Sequence, residues 1–156
     1  MAPDERPDAV DPDGPHVPSL RGRHPVRTIA LIALGGVLGA AARHGISELV
    51  GYDEGEFPAA TFAVNTIGAL LLGVLITIVE ELAPRRAFRP FLATGLLGAF
   101  TTFSTFAVEI VVLVDLGHPG LAATYVAATL VVGITAAWVG IVGARLALGP
   151  RIGAAR

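Results

Sequence analysis

Four apolar runs, too sparsely broken by polar residues to alternate as strands, occupy most of the chain between residues 28 and 148. They cover about 28–50, 57–80, 89–116 and 119–148. A bilayer core of roughly 30 Å is crossed by about 20 helical residues, and each run is long enough. Charges inside the runs are few. Arg43 and Glu48 fall late in the first, with His44 alongside; no charge precedes Glu80 in the second. Glu109 and Asp115 lie in the third, and Arg145 is the first charge of the fourth. The linkers over 51–56, 80–89 and 117–118 are short, which makes successive helices antiparallel neighbours. The pattern predicts an all-α integral membrane protein with four transmembrane helices, its membrane domain spanning 27–149. Residues 1–26 hold Pro3, Pro7, Pro12, Pro15, Pro18 and Pro25 among Asp and Arg, and are expected to form a disordered cytoplasmic tail. Acidic and proline-rich ahead of the first apolar run, this stretch does not read as a signal peptide. A short C-terminal tail is expected over 150–156.

Composition agrees. Hydrophobic residues are 53% and charged residues 15%, against about 25% charged in soluble domains, so a soluble enzyme and a disordered protein are both excluded. With no cysteine, there is no disulfide framework, cysteine zinc site or thiol nucleophile. The net charge of −2 gives no case for nucleic-acid binding. All 11 basic residues are Arg, and their distribution sets orientation. Arg21, Arg23, Arg27, Arg85, Arg86, Arg89, Arg145, Arg151 and Arg156 fall on one side of a four-span chain, while the opposite linkers hold Asp53, Glu54, Glu56 and His118. Both termini are therefore expected in the cytoplasm.

A polar group in hydrocarbon is costly unless paired or wet, so each marks either a functional site or glue between helices. Thr61 and Asn65 share a helical face, with Gly68 following; Asn65 suits a pore wall or an interhelical bond equally. In the third run Thr101, Thr102, Ser104 and Thr105 place four hydroxyls in five positions, just after Gly95 and Gly98. Such a cluster competes with its own helix and predicts a break near 98–104. Irregular backbone at membrane depth is tolerated only inside protein or beside water, where freed carbonyls can hold a cation and freed N–H groups an anion. Phe100, Phe103 and Phe106 recur every third residue. A stripe of this kind is usually packing, yet phenyl edges are electropositive and suit an anion path. Thr105 and Glu109 at i, i+4 predict a hydroxyl–carboxylate bond. Tyr125 and Thr129 share a face of the fourth helix. Arg43 either snorkels or forms an electropositive vestibule.

The string Gly95-Leu-Leu-Gly-Ala-Phe-Thr-Thr-Phe-Ser-Thr-Phe106 resembles the signature of the Fluc/CrcB fluoride ion channel family. Gly36-Val-Leu-Gly-Ala-Ala-Ala-Arg43-His resembles its first-helix block, and Pro58-Ala-Ala-Thr-Phe-Ala-Val-Asn65-Thr-Ile-Gly68 its second. The resemblance covers about residues 29–148. It implies a bacterial plasma-membrane channel, working as an antiparallel, inverted dimer with two fluoride pores. Phe103 and Phe106 match the pore-lining ring pair and Asn65 the asparagine that contacts fluoride. Ser104, Thr105, Glu109, Tyr125 and Thr129 would belong to the fluoride path, and Arg43 to the vestibule. A structural, untransported Na⁺ would sit at the dimer centre on the backbone carbonyls of Gly98 and Thr101, two from each subunit. The sequence departs from the family at His44, where an aromatic residue is common, at Ala60, where Gly precedes Thr61, and at Ala99, the second of a Gly pair.

The implied activity is passive, selective fluoride export. Two other classes compete: a small multidrug-type proton-coupled exporter, which needs a first-span carboxylate where this chain has Arg43, and a non-conducting membrane scaffold or partner subunit. The one-sided Arg distribution suggests a single insertion orientation. The partner would then be an oppositely oriented paralogous subunit rather than an inverted copy of the same chain.

Overall fold

The computed structural model describes residues 25–82 and 88–152. Helix α1 spans Pro25–Val50 and α2 spans Ala59–Leu82; a π-helix, Arg89–Leu97, leads into a short α3, Gly98–Phe100; α4 spans Phe103–Asp115 and α5 spans Pro119–Ile152. Four helical spans, Val26–Val50, Ala59–Glu80, Arg89–Asp115 and Pro119–Gly149, are long and apolar enough to cross a membrane. The described residues are all helix or connection, with no strand among them.

Boundaries differ from expectation where hydrogen bonds, not hydropathy, set them. Helix α1 begins at Pro25, inside the expected tail, because proline in a first turn forfeits no hydrogen bond. Helix α2 begins after Pro58, whose carbonyl accepts from Phe62 N at 3.0 Å. Helix α5 runs on to Ile152, into the stretch expected as a tail, since a helix continues until its bonds lose to other partners. Residues 1–24, 83–87 and 153–156, which hold the rest of both expected tails and part of the second linker, lie outside the described residues.

Packing follows the small residues. Gly35 and Gly39, one helical turn apart on α1, face the π-helix. A Cβ on either would collide with backbone, at Phe91 O and Leu96 O respectively. Gly95 answers from the other side, where a Cβ would stand 2.6 Å from Ile32 O. Helices α2 and α5 meet in the same manner, Gly73 against Ala137 O and Gly140 against Leu70 O. Between membrane helices, where burial from water contributes little, close backbone approach supplies the dispersion energy of association.

Helices α4 and α5 are joined by a tight reversal. Gly117 takes φ +83, while His118 N bonds Leu113 O at 2.8 Å and Gly117 N bonds Val114 O at 3.0 Å. This is the six-to-one and five-to-two pairing of a Schellman ending, and its positive φ favours glycine. The reversal brings Leu113, Ala122 and Tyr125 into one buried cluster, with Phe57, Phe62, Phe106, Ile110 and Leu121 packed around it. Large apolar side chains such as Val37, Val131, Ile134 and Trp138 remain exposed on the single chain.

Candidate functional site: a polar seam through the third span

Halfway along the third span the backbone leaves the helix. Thr101 has φ −78, ψ 155 and Thr102 φ −144, ψ 122. Each hydroxyl there has a defined partner. Thr101 Oγ1 donates to Leu97 O at 3.0 Å. Thr102 caps α4, its Oγ1 accepting from Thr105 N at 3.2 Å, and the same Oγ1 bonds Thr105 Oγ1 at 2.9 Å. From α2, the carboxamide of Asn65 grips the Thr102 backbone on both sides: Nδ2 donates to Thr102 O at 3.0 Å and Oδ1 accepts from Thr102 N at 2.9 Å. Gly68, one turn further on, leaves room for the Thr101 methyl, which a Cβ there would strike.

These pairings release two carbonyls. In an unbroken helix Gly98 O would accept from Thr102 N and Thr101 O from Thr105 N. Thr102 N goes to Asn65 instead, and Thr105 N to the Thr102 hydroxyl. Both oxygens thus lose their i+4 donors.

Beyond the break, Glu109 is buried on α4. It accepts from Thr61 Oγ1 on α2 at 2.7 Å and from Tyr125 OH on α5 at 2.8 Å, so one carboxylate ties three helices. The expected Thr105–Glu109 bond is not among these contacts. The Thr105 hydroxyl is engaged by the Thr102 cap, while Glu109 points to α2 and α5. The ring of Tyr125 is fully buried, 5.0 Å from Phe106 and 5.3 Å from Phe57 between centroids. Thr129 Oγ1, one turn deeper on α5, is buried with no hydrogen-bond partner. A buried orphan hydroxyl carries a desolvation cost of about 1–3 kcal/mol, and here it extends the polar line from Tyr125.

The spacing Phe100, Phe103, Phe106 does not form one stripe. Phe100 precedes the break and is buried beside Gly68, because two extended residues turn it away from the other two. Phe103 and Phe106 stay paired on α4, with centroids 6.0 Å apart and planes inclined at 44°. Phe103 is 80% exposed on the isolated chain; Phe106 is half-buried against Tyr125. Ser104 is exposed beside Phe103, its hydroxyl 3.3 Å from Thr102 Oγ1.

A cleft of about 180 Å³ opens onto the break. Arg43, His44 and Ser47 line it from α1, Thr61 from α2, and Thr102 and Thr105 from the start of α4. Among the described residues no carboxylate lies within ion-pair reach of Arg43.

The family described as CrcB-like protein, Camphor Resistance (CrcB), matches residues 30–141. The chain belongs to the CrcB-like family. It is 47% identical over 110 residues to a protein of Streptomyces avermitilis named fluoride-specific ion channel FluC 2, covering 70% of this chain and 68% of that one. It is 40% identical over 144 residues to FluC 1 of Streptomyces coelicolor, covering 92% of each. It is 43% identical over 123 residues to FluC 2 of Bacillus subtilis, covering 78% of this chain and 92% of the other. With four helices able to span a bilayer, this CrcB-like chain is a multi-pass membrane protein.

The family resemblance implies a bound cation, and the donor set fits one. Among the described residues no group of three or more His, Cys, Asp or Glu could hold a metal. The released oxygens of Gly98 and Thr101 are neutral, which suits a hard ion of low charge held by carbonyls. Gly98 is exposed and Thr101 half-exposed on the single chain.

Three contributors to this CrcB-like site were not marked by the sequence pattern. Thr102 is the capping residue on which Asn65 closes, yet in sequence it is one hydroxyl of four. Phe57 looks like the edge of a span and instead meets Tyr125 edge-to-face. Tyr52, in the α1–α2 loop, has its phenol pushed above its ordinary range by burial, then by the Glu109 and Glu54 charges.

Proposed function

We propose that this chain is one subunit of a fluoride-selective channel that lets fluoride leave the cytoplasm passively. The observation behind the proposal is the coincidence of two ranges. The CrcB-like match over 30–141 contains every residue of the polar seam, and relatives matched along it are named fluoride-specific ion channels.

The mechanism follows from the side chains. Arg43 raises the local anion concentration at the cleft. Asn65 holds the break open; with Nδ2 bonded to Thr102 O, its second N–H is free to meet an anion. The electropositive edges of Phe103 and Phe106 and the hydroxyls of Ser104 and Thr105 replace water around fluoride at several weak sites. Glu109 is kept from repelling the ion by its two hydroxyl donors, and Tyr125 and Thr129 continue the line. The membrane potential drives the anion outward with about 2.3 kcal/mol per charge per 100 mV.

A structural Na⁺ would be held by Gly98 O and Thr101 O together with the same pair from an inverted second subunit, its charge neutralising carbonyl dipoles that otherwise face one another. The Arg-rich side is cytoplasmic, with both termini there. This bias favours an oppositely oriented paralogous subunit as partner over an inverted copy of this chain.

The test is fluoride efflux from liposomes carrying the protein, alone and with such a partner. Efflux well above protein-free vesicles, with chloride left behind, is expected. Efflux no faster than from empty vesicles in both cases, or equal fluoride and chloride rates, overturns the proposal.

A further inference from the structure

We propose that His44 is a second anion-recruiting group at the mouth of the fluoride path, switched on by its own protonation; this rests on the channel function proposed above. His44 lines the same cleft as Arg43, and the cleft leads to Thr102 and Thr105 at the break. The charged groups facing it are few. On α1 they are Arg43 and Glu48, with Glu48 Oε1 3.9 Å from His44 Nδ1. The α2 wall contributes Thr61 and Val64, and the α4 wall Thr102 and Thr105; none carries charge. Glu109, on α4, accepts from the Thr61 hydroxyl of the α2 wall at 2.7 Å.

Among the described residues, a neutral imidazole therefore leaves Arg43 as the single cation lining the cleft, and an imidazolium makes two. Histidine is the side chain whose charge changes between about pH 5 and 8. One added charge a few ångströms from an anion in a wet, salt-screened cleft raises the local anion concentration about two- to fourfold. Both side chains of the pair are about three-quarters exposed, at 76% and 73%, so substitutions there leave the helix packing untouched.

The experiment measures fluoride efflux from proteoliposomes between about pH 8 and about pH 6, with protein-free vesicles subtracted at each pH. Wild type is expected to gain about two- to fourfold on acidification. H44R should be fast and H44Q slow at both ends. A second readout is independent of transport. By reciprocity of linkage, fluoride should move the imidazole titration of His44, followed by NMR, to higher pH, and by more than it moves His118. An equal pH response in wild type and H44Q, or a His44 titration indifferent to fluoride, overturns the inference while leaving the channel intact. Absence of fluoride efflux from every variant at every pH overturns the channel proposal and this inference with it.

Discussion

Asn65 is the residue whose loss most directly tests the physical account of the break. Its carboxamide makes both hydrogen bonds to the Thr102 backbone, at 3.0 and 2.9 Å, and Thr102 is 7% exposed. Asn65→Leu, with the same branched shape and number of side-chain heavy atoms but a somewhat larger volume, removes both bonds without leaving a cavity. Between membrane helices a side-chain bond is worth about 0.6 kcal/mol on average and at most about 1.7. A buried donor or acceptor left unsatisfied costs about 1–3 kcal/mol. Two such groups give a loss of about 2–6 kcal/mol, reduced if Thr102 N swings back to Gly98 O and restores the helix. Asn65→Asp separates the two bonds, keeping the acceptor for Thr102 N but setting a carboxylate oxygen against Thr102 O. The assay is reversible unfolding in a graded denaturing detergent, combined with amide hydrogen exchange at Thr102. Exchange should quicken in Asn65→Leu, and stability should fall for both variants. If Asn65→Leu stays within about 0.5 kcal/mol of wild type with the Thr102 amide equally protected, the clamp does not hold the break and the account is wrong.

Four further outcomes are expected. Gly39→Val should cost about 3 kcal/mol or more, because its side chain would meet Leu96 O, whereas Gly36→Ala, which faces open space, should be neutral or slightly stabilising; detergent unfolding of the two side by side checks this. Tyr125→Phe removes one of the two donors to Glu109 and leaves a buried acceptor under-satisfied, which should cost about 1–3 kcal/mol and slow fluoride efflux. Phe103→Ile, at a ring 80% exposed on the single chain, should leave the unfolding transition of the isolated chain within about 0.5 kcal/mol of wild type while depressing efflux. Single cysteines at Asp53 and near the C-terminus should react with a membrane-impermeant reagent from opposite sides only; a mixed pattern for both positions would defeat the single-orientation argument.

Much of the architecture is legible in one dimension because a bilayer imposes a one-dimensional requirement. Backbone groups in hydrocarbon must be satisfied within the segment, so runs such as 57–80 and 119–148 declare helices by length and apolarity alone. The short 117–118 linker declares an antiparallel pair. The hydroxyls of Thr101, Thr102, Ser104 and Thr105 mark where the chain has alternatives to its own helix. The site is less legible. Thr105 and Glu109 have the spacing to bond and do not, since the Thr102 cap takes the hydroxyl and α2 and α5 offer Glu109 two other donors. Phe100 has the period of Phe103 and Phe106 and leaves their company, since a period predicts a shared face only while the helix continues.

The sequence by itself determined the solvent this protein lives in, the number of its crossings and the places where its helices are weak. These follow from hydropathy, charge and local propensity, which are properties of neighbours along the chain. Only the tertiary structure decided which weakness is used and for what. Asn65 and Thr102 are 37 positions apart, Thr61 and Glu109 are 48 apart, and no local rule joins them. Glycine contacts between α1 and the π-helix, and between α2 and α5, bring the helices close enough for these side chains to reach. Once they reach, two carbonyls are freed and one carboxylate is satisfied, because a hydrogen bond depends on distance in space, which sequence separation does not supply.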